Sequence, residues 1–80
     1  MYNMTITING LTEIIESGAD LLDLKSKTES LLLGKAKELG VSGETDVDIH
    51  IDLDGEYYDH DEFVMNISED FTKAELVLEK

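Results

Sequence analysis

Nine residues, Asp46 to Asp54, constrain this chain more than any others. They alternate without a break, with Val47, Ile49, Ile51 and Leu53 on one side and Asp46, Asp48, His50, Asp52 and Asp54 on the other. A period of two with β-branched apolar residues specifies an extended strand that has one dry face and one wet face. The chain must therefore fold as a sheet with an apolar layer against one side and open water on the other.

The other segments are consistent with that demand. Tyr2 to Ile8 alternates in the same way, with Tyr2, Met4, Ile6 and Ile8 sharing a side, and Asn9-Gly10 ends it. From Leu11 to Leu39 the apolar spacing changes to threes and fours. Leu11, Ile14, Ile15, Gly18, Leu21 and Leu22 form one stripe, and Leu24, Thr28, Leu31, Leu32, Ala36 and Leu39 continue it with a drift. This spacing predicts a short helix over 11–17 and a longer one over 20–39, or else a single kinked helix. Asp20 is placed to cap the longer helix. Gly40, preceded by Lys35 and Lys37, is placed to stop it.

Phe63 to Ser68 reads as another strand, with Phe63, Met65 and Ile67 inward. Ala74 to Glu79 reads as a further one, with Leu76 and Leu78 inward. The alternative there is a helix started by Ser68, Glu69 and Asp70. Between the second and third strands, Asp54-Gly55 suits a type I′ hairpin turn. A regular hairpin on that turn would set Asp48 against Asp61 and Val47 against Glu62, and both pairings are unfavourable. A solvent loop over 54–61 avoids them and is the expectation. The expected fold is thus α+β: a mostly antiparallel sheet of three to four strands, in the order β-α-(α)-β-β-β, with the helices on one face. At 80 residues, 1–80 form a single small acidic domain with a thin core.

Composition narrows function by exclusion. The formal charge is -13, and Cys, Pro and Arg are all missing. A thiolate metal site, a disulfide scaffold and a cysteine nucleophile are ruled out. Direct contact with nucleic acid or an anionic membrane is unfavourable. No Walker loop, nucleophile elbow or dinucleotide fingerprint occurs, so no enzyme and no cofactor are expected. No apolar run exceeds three residues, as in Leu31-Leu32-Leu33, and the N-terminus lacks a basic-then-apolar leader, so a cytoplasmic location is expected.

The acids are not spread evenly. Between Lys37 and Lys73 lie 35 residues with 12 acidic side chains and no Lys or Arg. Along a strand, Asp46 and Asp48, and again Asp52 and Asp54, would stand about 6.8 Å apart. Each pair repels by about 0.6 kcal/mol in water before salt screening. Asp is also a poor strand former. Residues that break local rules together point to function, and the interval resembles that between neighbouring phosphates on a nucleic-acid backbone. The expected partner is the basic surface of a nucleic-acid-binding protein. Asp46, Asp48, Asp52, Asp54, Glu56, Asp59, Asp61 and Glu62 would supply charge, and Tyr57 and Tyr58 would anchor. One tyrosine folding back onto the sheet is the alternative for that pair. In size and charge the chain is similar to small phage or mobile-element proteins that disable host nucleases, anti-CRISPR proteins among them, which implies an inhibitor.

The competing reading is a small accessory or structural domain whose acidity serves solubility or weak divalent-cation binding, with a homodimer formed through an exposed edge strand. A calcium loop over His50–Asp61 fits only in part: His50 stands at the first ligand position, Asp61 at the twelfth, and Ile51 and Leu53 belong to a strand pattern. His50 and His60, with Asp59 or Asp61 nearby, lack the spacing of a metal motif, so no metal site is expected.

Overall fold

The strands Tyr2–Ile8 (β1) and Gly43–Leu53 (β3) form the centre of the fold. The computed structural model describes residues 1–77. Around the central pair lie Thr12–Gly18 (β2), Glu56–Ile67 (β4) and Ala74–Val77 (β5). All neighbours are antiparallel, in the order β2-β1-β3-β4-β5. Between β2 and β3 the chain makes a helix that bends at Lys27, with Leu21–Ser26 (α1) before the bend and Thr28–Leu39 (α2) after it. The α+β architecture with helices on one side of an antiparallel sheet is as expected, but the described residues form a sheet of five strands.

The helix ends follow the capping chemistry read from sequence. Asp20 accepts from the Leu22 and Asp23 amides at 3.0 and 3.4 Å. At the other end Gly40 takes φ 72°, its amide donates to Lys37, and the Val41 amide donates to Ala36. That pair of bonds is a Schellman stop, which needs a left-handed residue. Leu24, Leu32 and Ala36 are buried against Met4, Ile6, Ile8, Val47, Ile51 and Ile67 of the sheet. Thr45 is the one buried polar residue of this layer among the described residues, and its hydroxyl donates to the Gly43 carbonyl.

Two expectations are overturned. Residues 11–17 are not a helix but a loop residue and most of β2. Asn9 and Gly10 have φ of 51° and 69°, and the Leu11 amide donates to the Ile8 carbonyl, which makes a type I′ turn that folds β2 back on β1. Leu11, Ile15 and Leu22, which the helical stripe put inside, are exposed. The three-four spacing there was a coincidence of strand and turn residues. Local turn chemistry and the free edge of β1 decided the outcome.

The loop expected over 54–61 is also not a loop. Asp54 and Gly55, at φ 52° and 88°, form a two-residue turn, and Glu56 already pairs with Leu53. A β-bulge removes one of the two unfavourable pairings, that of Val47 with a charge, and leaves Asp48 opposite another acid. Asp52 pairs with Tyr57 and Ile51 with Asp59, so Tyr58 is an extra residue. Beyond it every pairing is shifted by one. Val47 now meets Phe63 on the core side and Asp48 meets Glu62 on the open side. The last strand is present as β5, while Leu78 and Glu79 of the expected 74–79 strand lie outside the described residues.

Candidate functional site

Because directly opposed residues in a sheet share a face, the pairings map the surface that the helices leave open. Three rows cross four strands. Glu13, Thr7, Asp48 and Glu62 form one, Ile15, Thr5, His50 and His60 the next, and Ser17, Asn3, Asp52 and Tyr57 the third. Asp46 beside Val64, and Glu44 beside Asn66 and Glu75, extend the face toward β5. Polar neutral side chains thus occupy β1, and carboxylates gather on β3 and β4. None of the five strands contains a lysine. At one end of this face Asn9, Gly10, Asp46, Asp48, Glu62 and Val64 line an open depression of about 520 Å³.

The ten residues singled out from sequence do not all meet there. Asp46, Asp48, Asp52, Tyr57 and Glu62 share the open face. Asp52 accepts from the Asn3 amide group at 2.8 Å, and Ser17 donates to the Asn3 carbonyl at 2.6 Å, so a hydrogen-bonded row braces three strands. Asp54 sits in the turn and pairs with the terminal ammonium at 2.7 Å, and exposed Glu56 follows it. Asp59 and Asp61 lie opposite Ile51 and Ile49 and therefore point to the helix side. Asp59 meets Lys25 at 3.6 Å. Tyr58 also turns that way, its ring edge-on to Tyr2 with centroids 5.3 Å apart. Tyr57 stays on the open face, 68% exposed, beside His50.

The expected single array from 46 to 62 is thus split by the strand alternation and the bulge. On the open face Glu13, Glu44, Asp46, Asp48, Asp52, Glu62 and Glu75 have no lysine or ammonium partner among the described residues; Asp52 accepts from Asn3, and the His60 ring lies 3.9 Å from Asp48. Glu44 and Glu75 were not singled out from sequence. Glu44 continues the alternation of Asp46 and Asp48 one step earlier, which was a usable signal. Glu75 joins through β5, where an inward Leu76 already turned it outward; which strand β5 pairs with had no local sign.

On the helix side, a groove of about 540 Å³ runs between the helices and the β3–β5 half of the sheet, walled by Leu32, Val47, Ile49, Phe63, Met65 and Leu76. No helix of the described residues is long and apolar enough to cross a membrane. No protein-family model matches the chain, no curated protein matches it, and no solved structure matches it.

Proposed function

We propose that this chain is a non-enzymatic, cytoplasmic inhibitor that lays the open face of its sheet into the basic groove of a nucleic-acid-binding protein and excludes the nucleic acid. An anti-defence role of the phage or mobile-element kind, anti-CRISPR included, is the biological setting this reading favours. The observation that carries it is the face itself: Glu44, Asp46 and Asp48 at successive outward positions of β3, Glu62 beside them, and no lysine in any strand of the described residues. Outward positions along an antiparallel strand recur at about 6.8 Å, and the sheet holds them at that interval without further ordering cost. Carboxylates so fixed steer a basic partner at long range and replace phosphates at short range. Tyr57, exposed at the edge of the array, supplies the apolar anchor.

The test is capture by the immobilised protein, followed by elution with salt and, separately, with DNA or RNA. A basic nucleic-acid-binding protein should be retained, leave as salt rises and be displaced by its own nucleic acid. Asp46→Asn, Asp48→Asn and Glu62→Gln together should abolish capture with the fold unchanged. Asp52 and Asp54 are left out because each is engaged inside the protein. Retention that survives the triple change, or that ignores both salt and nucleic acid, would refute the reading.

A further inference from the structure

We propose that Asp48, His60 and Glu62 form a site for one first-row transition-metal dication, zinc(II) being the best fit. Their donor atoms all lie within 4.8 Å of one another. The two strands build the arrangement. His60 and Glu62 are two apart on β4 and share the open face, and Asp48 stands directly opposite Glu62 on β3. Zinc takes imidazole nitrogen and carboxylate oxygen at about 2.0–2.2 Å. Closing the three donors onto one ion therefore needs small side-chain rotations over a backbone already in place.

Three further observations favour a cation there. Asp48 and Glu62 are like charges directly across a strand pair, an arrangement that costs stability until something positive lies between them. None of the three side chains is hydrogen-bonded within the described residues. The His60 Nε2 to Asp48 Oδ1 separation of 3.9 Å is too long for such a bond. The imidazole sets this group apart from the surrounding carboxylates, because nitrogen selects zinc, cobalt, nickel or copper over calcium and magnesium. His50 lies opposite His60 with ring centroids 6.0 Å apart, so a second imidazole borders the site. Three protein ligands leave a coordination position for water or for a donor from another molecule.

The inference is measured on the isolated protein, without the inhibitory partner; it shares Asp48 and Glu62 with the proposed docking face, whose negative charge a bound dication would offset. Zinc(II) is titrated calorimetrically into chelator-stripped protein, and cobalt(II) is added as a spectroscopic stand-in. One equivalent should bind, with the His60 ring signals moving in the proton spectrum. His60→Ala and Glu62→Gln should each weaken zinc binding by about tenfold or more, with their folded spectra retained because both positions are exposed. Calcium should bind far more weakly. Absence of zinc binding, equal affinity for calcium, several equivalents of zinc, or an unchanged affinity in His60→Ala would each overturn the assignment.

Discussion

Glu62→Gln should make this protein more stable. Glu62 and Asp48 face each other across β3 and β4, with carboxylate oxygens within 4.8 Å. Two unit charges at that distance repel by about 0.9 kcal/mol in bulk water. A Debye length of about 8 Å at physiological ionic strength lowers this to about 0.5 kcal/mol. Partial burial of Asp48 raises it again, so a gain of about 0.5–1 kcal/mol is expected. For a domain of this size that corresponds to a rise in Tm of roughly 2–8 °C. The assay is thermal unfolding followed by circular dichroism at pH 8 in EDTA, where no dication intervenes. In 1 M salt the Debye length falls to about 3 Å and the gain should shrink to about 1 °C. With saturating zinc the order should reverse, because the variant then lacks a ligand. A Glu62→Gln protein that melts at or below the parent in EDTA would show that the carboxylate is held by attraction and that the repulsion argument is wrong.

Three other outcomes are expected. Leu32→Ala removes a fully buried side chain at the helix–sheet contact and should cost about 2–5 kcal/mol, read as a lower urea midpoint. Asp20→Ala removes the cap that receives two amides and should cost about 1 kcal/mol, read in the same experiment. Asp70 is held below the ordinary carboxylate range by hydrogen bonds from the Thr72 hydroxyl, the Ser68 hydroxyl and the Thr72 amide. A depressed folded value stabilises above the unfolded value and is lost as pH falls through the folded one. The difference in urea midpoint between parent and Asp70→Asn should therefore be present at neutral pH and vanish in acid.

How far the sequence could be read depended on whether a segment has two unlike faces. Asp46–Leu53 has one apolar and one acidic side, and its strand and exposed face followed directly. The helix from Asp20 to Gly40 carried its own start and stop residues. Thr12–Gly18 is an edge strand with half-buried and exposed positions only, so its weak alternation lost to a chance helical spacing. The stronger local signal was Asn9-Gly10. Residues 56–62 are exposed or half-buried throughout, which leaves no period to detect. The turn at Asp54-Gly55 was legible, but the bulge at Tyr58 was not, because a bulge is set by what lies across the ladder. That one feature decided which of the candidate acids share a face.

The extra residue at Tyr58 also makes the hairpin sensitive to parity. Removing Glu56, Tyr57 or Tyr58 would return Phe63 to the solvent side and swing Glu62 toward the hydrophobic layer, bringing Asp59 and Asp61 to the open face in its stead, while Asp46 and Asp48 keep their places and the turn sequence is untouched. Lengthening or shortening this arm by two residues would preserve the facing of every downstream side chain. Natural variation at the tip should therefore come in even steps, and a one-residue deletion library across the arm should divide sharply into intact and collapsed proteins.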